Sequence, residues 1–363
     1  RTSYDNRDFA AQNFYTVYAS DTATEKVSGW WHQFRIGFEK NRSKLTVDAG
    51  YKVLEDAYSF NNSSSANQNT SKLFQSLLLY QQKLGDKTLL TTGFNYQNRA
   101  IASNDRGYHT LNIAAPFVNF SQKVGDRFTV LPSIRVEFIG DNNAELLPQL
   151  SASFHIENLQ LRASGGRTIR DAEFTERYNN YNRATPVGKS IGNPWLVPEV
   201  SWNYEAGADW FYKSKLRISS TFFQRFHTKL IDWVITPYAD MPRKDNLNPA
   251  VNDYALAKNI AEVNTTGLET DIQYLHQFDN LQRLVINSGL VWLYSKSSEV
   301  NPSFYISSHA KFLSNFNIQY EVGPAALSFT GIYKTRNSRQ SPAISAHISK
   351  DYFLMNGRAA YRF

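Results

Sequence analysis

The stretch RFTVLPSIRVEF, residues 127–138, sets Phe128, Val130, Pro132, Ile134, Val136 and Phe138 at even positions against Arg127, Thr129, Leu131, Ser133, Arg135 and Glu137 at odd ones. A period of two marks an extended strand whose successive side chains point to opposite faces. One face here is apolar and the other mainly polar. The pattern recurs from end to end. Trp30, Phe34, Ile36 and Phe38 alternate with Gln33, Arg35 and Glu39; after a turn at 41–43, Leu45, Val47, Ala49, Tyr51 and Val53 alternate with Thr46, Asp48 and Lys52. Comparable faces follow within 146–163, 202–222, 272–294 and 312–333. The question is what so many apolar faces touch, a protein core or lipid.

Length, connections and aromatics answer it. About sixteen such strands of roughly 11 to 14 residues can be counted, longer than the 5 or 6 usual in soluble sheets and sufficient to cross a bilayer at a tilt. Tight turns at 41–43, 85–87, 125–127, 157–158, 213–215, 278–280 and 322–324 alternate with longer polar connections near 55–71, 100–107, 168–200, 230–253, 295–308 and 335–349, with 141–144 a short exception. Short turns on one side and long loops on the other are the asymmetry of outer-membrane barrels. Trp202, Trp210, Tyr212, Trp292, Tyr294, Tyr320 and Tyr361 fall near strand ends, where girdles meet lipid headgroups. The fold class expected is therefore all-β, a transmembrane antiparallel β-barrel, with the even face of 127–138 toward lipid and Arg135 and Glu137 toward the lumen. Pro132 cannot donate to a ladder, so a bulge or a locally unpaired position is expected there.

Composition agrees. No window approaches the roughly 18 consecutive apolar residues of a membrane helix, and a mean hydropathy of -0.47 suits strands that are only half apolar. Absence of cysteine rules out a disulfide framework and thiolate metal sites. The charge of +7 is scattered with no basic run, so no nucleic-acid partner is expected. The chain opens mid-pattern with no initiator Met and no signal peptide, as a mature or truncated product would.

The longest connection lies within GGRTIRDAEFTERYNNYNRATPVGKSIGNPWLVPEVSWNYEAGADWFY, residues 165–212. A loop of some thirty residues between two strands is usually functional. Its Asn193, Pro194, Val197 and Pro198 fix two bends, and Glu199 is placed to accept backbone N–H groups, which describes a rigid corner. This segment resembles the paired motif of TonB-dependent outer-membrane receptors, an arginine box leading to Asn-Pro-x-Leu-x-Pro-Glu and then Tyr/Trp-Glu-x-Gly. The matching residues are Arg170, then Asn193, Pro194, Leu196, Pro198 and Glu199, then Tyr204, Glu205 and Gly207. FFQRFHTKLIDWVI resembles the strand that follows in the family, and NIAEVNTTGLETDIQY, with Asn259, Gly267 and Glu269, resembles the next. A terminal Phe363 on a strand with Tyr361 resembles the signal read by the outer-membrane assembly machinery. TERYNNY is most similar to receptors of the Bacteroidota, including those for cobalamin or iron complexes.

The resemblance implies a barrel of about 22 strands filled by an N-terminal plug. The expectation is that residues 1–363 form the C-terminal part of that barrel, with the plug and roughly six first strands absent. It implies energy-coupled import of a scarce, bulky ligand with the TonB–ExbB–ExbD complex as partner through the plug, outer-membrane lipid and lipopolysaccharide around the wall, and a surface lipoprotein as a further partner. The localisation implied is the outer membrane of a Gram-negative bacterium. No chemistry is done on the ligand, and no cofactor or resident metal is expected.

Capture would fall to loop aromatics and cations, since rings stack on conjugated ligands and Arg or Lys neutralise anionic chelates. The candidates are Tyr58, Phe60, Tyr178, Tyr181, Arg183, Trp195, Trp233, Tyr238, Arg243, Phe304 and Tyr305. Haem receptors of the family place a His between the two boxes, and residues 168–199 contain none; His109 and His347 lie near loops but stand alone. That leaves a ferric siderophore or cobalamin ahead of haem, an oligosaccharide or a peptide. Two other classes remain open from sequence: a passive sixteen-stranded porin, and an outer-membrane enzyme, for which no Ser-His-Asp or paired-acid motif is present.

Overall fold

In the computed structural model the described residues are 1–12, 21–140, 143–260, 262–279, 281–297, 310–336, 339–341 and 346–363. The strands are β1 (Thr2–Ala10), β2 (Thr24–Lys40), β3 (Ser43–Ser59), β4 (Asn67–Lys83), β5 (Thr88–Ser103), β6 (Gly107–Val124), β7 (Phe128–Ile139), β8 (Glu145–Ile156), β9 (Leu159–Arg170), β10 (Ser190–Ile191) and β11 (Glu199–Tyr212). They continue as β12 (Leu216–Thr228), β13 (Ile231–Pro237), β14 (Asp253–Asn259), β15 (Val263–Gln277), β16 (Gln282–Ser297), β17 (Phe312–Val322), β18 (Ala325–Thr335), β19 (Arg339–Ser341), β20 (Ala346–Ile348) and β21 (Asp351–Tyr361). One short helix, α1 (Phe174–Tyr178), and a 3-10 turn at Tyr238–Asp240 interrupt them. Among the described residues no helix is long and apolar enough to cross a membrane.

Sixteen strands form one sheet in the order β1 to β9, then β11, β12, β15 to β18 and β21. Each neighbouring pair is antiparallel, as hairpin connections require. The seven tight turns fall at one end of this sheet. Asn41, Glu157 and Lys213 take positive φ there, as do Gly125 and Gly323, the backbone sign that two- and three-residue hairpins favour. The longer connections fall at the opposite end. Strand length departs from expectation in the first half: β2 to β6 run 16 to 18 residues, while β7 to β9 run 12. Alternation continues above the apolar band in β2 to β6 with polar residues on both faces, and so carries no marker of where the bilayer ends.

The two faces separate as the period of two demands. Phe34, Phe38, Leu78, Ile134, Phe138, Leu150, Leu161 and Phe329 are exposed on one side, and residues between them pair on the other: Arg35 with Asp48, Arg135 with Glu137 at 2.8 Å, and Arg162 with Asp209 at 2.9 Å. A row of bare aromatics and aliphatics is stable only against lipid; the ion pairs line the concave face. Trp202 and Trp292 stand toward the loop end of their strands, Trp210, Tyr212 and Tyr361 toward the turn end, and all are exposed. Ten residues separate Trp202 from Tyr212, about 34 Å of strand, or about 26 Å of height at a ~40° tilt, which matches the apolar band of an outer-membrane barrel.

Pro132 is locally unpaired on its β6 side, while on the other side it pairs with Leu150 of β8. Strands β6 and β7 keep one register from Ile113 opposite Ile139 to Val124 opposite Phe128, but Ala115, Pro116, Phe120 and Ser121 have no partner on β7. The gaps lie beside the two prolines, whose nitrogens carry no hydrogen, and the constant register excludes a bulge.

Gly267 on β15 is required by close approach. A Cβ there would fall within the Phe223 ring's contact distance and 2.9 Å from Leu293 Cδ2, because Phe223 lies directly opposite on β12 and folds over the bare backbone. Gly267→Ala is expected to cost about 1–3 kcal/mol by overpacking, read as a lower denaturant midpoint in detergent refolding. An unchanged midpoint would show that the Phe223 ring swings aside freely.

Candidate functional site

The loop end carries a folded cap built mainly from residues 171–198 and 229–262. Its anchor is Arg170, the last residue of β9. The guanidinium donates to Glu199 from Nε (2.8 Å) and Nη2 (2.6 Å), and to Glu176 from Nη1 and Nη2 (both 2.9 Å). One planar fork thus holds two carboxylates, a geometry a lysine cannot reproduce. Glu199 is 8% exposed, and its Oε1 also accepts the Ile231 N–H at 2.7 Å. The same residue therefore ties β9, β11 and β13 together. Glu176 in turn accepts the Glu173 N–H at 2.8 Å, which closes a capping box on α1.

The stretch from Asn193 to Glu199 is a corner. Pro194 takes the second position of a turn in which the Leu196 N–H reaches the Asn193 carbonyl. Asn193 Oδ1 accepts the Trp195 N–H at 3.1 Å, and its Nδ2 donates to the Ala257 carbonyl at 3.0 Å. Leu196 is buried with Ala172, Ile231 and Ala257, and Trp233 packs against them. Asn259 receives the Val197 N–H and donates to the Val197 and Lys229 carbonyls. Strands β10, β14 and β13 form a small separate sheet, beneath which Ile191, Met241, Leu247, Tyr254 and Leu256 make a second core, flanked by Tyr181 and Tyr238.

FFQRFHTKLIDWVI is therefore two strands, not one. Lys229 takes φ 58, β12 stops at Thr228, and β13 restarts in the small sheet. The stretch 230–253, expected as an open loop, likewise contains β13 and part of that core. Asn259 ends β14 in the cap, while Gly267 and Glu269 lie on the lumen side of β15.

From this corner the loop reaches across to the connection between β5 and β6. Asp105, 3% exposed, accepts from Arg183 Nε at 2.6 Å and from the Asn180 N–H at 3.4 Å, and its carbonyl accepts the Asn182 N–H at 2.8 Å. The Tyr178 ring stacks on His109 of β6 with centroids 3.4 Å apart. Arg243 lies 3.8 Å over the Tyr181 ring and donates to the carbonyls of Asn180 and Tyr181. Burial pushes the Tyr181 phenol above its ordinary value, and Arg243 opposes that shift.

Among the candidates for capture, Tyr178, Tyr181, Arg183, Tyr238 and Arg243 are thus brought together, but with partners inside the cap or, for Tyr178 and Arg183, at the junction of β5 and β6. Trp233 is packed into the corner. Trp195 is 65% exposed. Tyr58 is the last residue but one of β3 and Phe60 lies just beyond the strand, both half-buried and apart from this group; Phe304 and Tyr305 lie outside the described residues. Sequence reasoning missed Asp105, Asn180 and Asn246, whose partners lie up to 78 residues away and whose local context is that of ordinary polar loop residues. Among the described residues no group of three or more His, Asp or Glu could hold a metal ion.

A lipid-facing antiparallel sheet with short turns at one end and a folded cap at the other is the wall of an outer-membrane β-barrel of a Gram-negative cell. The family model described as TonB dependent receptor-like, beta-barrel matches residues 1–363, and the chain belongs to that family. Solved structures similar to it include the siderophore receptor PirA from Pseudomonas aeruginosa (TM-score 0.73, 14% identity, 100% of this chain and 61% of that one). The copper transporter OprC (0.70, 13%, 93% and 58%) and the FrpB iron transporter from Neisseria meningitidis (0.64, 10%, 99% and 70%) are similar too. At these identities the likeness establishes the fold. The chain spans about 61% of the PirA receptor's length. No curated protein matches it.

Proposed function

We propose that this chain is the C-terminal part of a plugged barrel that imports a scarce, bulky ligand, a ferric siderophore in the first place and cobalamin in the second, with TonB–ExbB–ExbD supplying energy through the plug. The wording of 175–181 supports a Bacteroidota-like branch, in which a surface lipoprotein and lipopolysaccharide are further partners. The observation that carries this reading is the cap. The Arg170 fork and the Asn193 corner hold a rigid platform over the mouth and leave Trp195 presented on it. Neighbouring folds that are siderophore, iron and copper transporters support the iron-chelate branch. A passive sixteen-stranded pore needs β1 to pair with β21, and among the described residues each pairs on one side only.

The test is direct binding of the full-length receptor to ferric siderophores, cobalamin and haem. Trp195→Ala is expected to weaken the best ligand about two- to tenfold, the range of one stacking contact of about 0.5–1.5 kcal/mol. Full affinity in the variant would remove this platform from the site, and no binding to any member of the panel would overturn import of an iron chelate or cobalamin.

A further inference from the structure

The hairpin of β7 and β8 is joined to its neighbours less completely than to itself. Its inner ladder runs without a break from Phe128 opposite Phe154 to Glu137 opposite Glu145. On the β6 side only eight of the twelve rows between Ile113 and Val124 are paired. On the β9 side pairing runs from Ile156 to Gln149 and stops at Pro148, although β9 continues to Arg170. The flanking strands are held firmly on their far sides. There β6 pairs with β5 from Gly107 to Gln122, and β9 pairs with β11 from Leu159 to Arg170, both unbroken.

The direction of three prolines accounts for this. In an antiparallel pair, rows whose residues exchange both N–H···O bonds alternate with rows that exchange none. The Gly140 N–H donates to the Asn112 carbonyl, so the exchanging rows between β6 and β7 carry even numbers on both strands. Pro116, in register with Val136, and Pro132, in register with Phe120, both fall on such rows, and neither nitrogen has a hydrogen to give. The His155 N–H donates to the Arg127 carbonyl, so between β7 and β8 the exchanging rows are odd. Pro132 and Pro148 therefore sit on non-exchanging rows of the inner ladder and take nothing from it, and Pro148 aims its nitrogen at β9. Beyond it the Leu146 carbonyl is met by a side chain instead of a strand, Arg167 Nη1 at 2.8 Å. All three missing donors thus lie on the outer edges of the hairpin, where lipid supplies no water in their place.

We infer that the β7–β8 hairpin opens from the wall as one unit, parting from β6 and from the upper part of β9 while its own ladder stays closed. Local opening begins where the fewest bonds hold an element, and here they are fewest on two edges of the same hairpin. The wall yields at this element and stays closed at the strands on either side. The inference rests on the backbone ladder alone and is independent of what the barrel carries.

Residue-resolved hydrogen exchange on the full-length receptor in lipid nanodiscs tests it. The amides of Val130, Ile134 and Phe138, which face β6, are expected to exchange about tenfold faster than those of Thr129, Leu131, Ser133 and Arg135, which face β8. The amides of β5 that face β4 and those that face β6 are expected to show no such split. Pro116→Val with Pro132→Val restores two donors and is expected to slow the β6-facing amides about tenfold. Asn119→Cys with Ser133→Cys places a disulfide across the seam, on a non-exchanging row where side chains approach most closely. Oxidation is expected to slow the same amides and reduction to release them. Equal exchange on the two edges of β7 in wild type overturns the inference, and so does exchange left unchanged by the restored donors or by the closed disulfide.

Discussion

Replacing Glu199 by alanine will detach the cap from the barrel wall without unfolding the wall. The change deletes two acceptors of the Arg170 fork and leaves the Ile231 N–H, at a buried residue, without its 2.7 Å partner. Breaking a buried pair by removing one member costs about 3–5 kcal/mol; Arg170 is 41% exposed on its side chain and keeps Glu176, so the lower end, about 3 kcal/mol, is expected. The readout is limited proteolysis. Residues 171–198 and 229–262 should become cleavable while heat-modifiable gel mobility of the barrel is retained. Glu199→Gln keeps an acceptor for Ile231 and should give an intermediate rate. A cap as resistant as wild type in Glu199→Ala would show that the Asn193 corner holds it unaided.

Ile134→Arg will be the most damaging single change on the lipid face of β7. Ile134 is 41% exposed, lies six residues from Phe128 at the turn end, and has apolar Val118 and Pro148 beside it. A guanidinium near the bilayer midplane costs about 2–4 kcal/mol. Arg135→Ile, one residue on, removes the 2.8 Å pair with Glu137 on the lumen side, where the lumen still solvates the carboxylate, and is expected to cost less. Urea titration of refolding in liposomes compares the two; equal shifts would contradict the assignment of faces.

Much of the wall was legible because its determinants are local. A turn such as 125–127 announces itself by Gly125, and the face of each strand follows from its own alternation. Even the locally unpaired Pro132 follows from one missing hydrogen. The cap was legible only where it repeats a family's wording. Arg170 and Glu199 could be found by resemblance, but no pattern in the sequence says that Asp105 is the residue on which Asn180, Asn182 and Arg183 converge. The division of FFQRFHTKLIDWVI between two sheets was hidden for a related reason. The break depends on Lys229 adopting a left-handed backbone that lysine does not favour by itself, and the three-stranded cap imposes it.

The reach of the long loop to Asp105 also has a mechanical meaning. The loop leaves β9, passes β8 and β7, and fastens beside the junction of β5 and β6, so it runs as a chord beneath which an arc of wall is bypassed. That arc contains the seam where Ala115, Pro116, Phe120 and Ser121 have no partner on β7. A hoop of strands is only as strong in tension as its weakest seam. With the chord in place, a load that tends to splay the mouth is shared by the Arg183 contact to Asp105 and the stacked rings of Tyr178 and His109, and the proline-interrupted seam is spared the full strain.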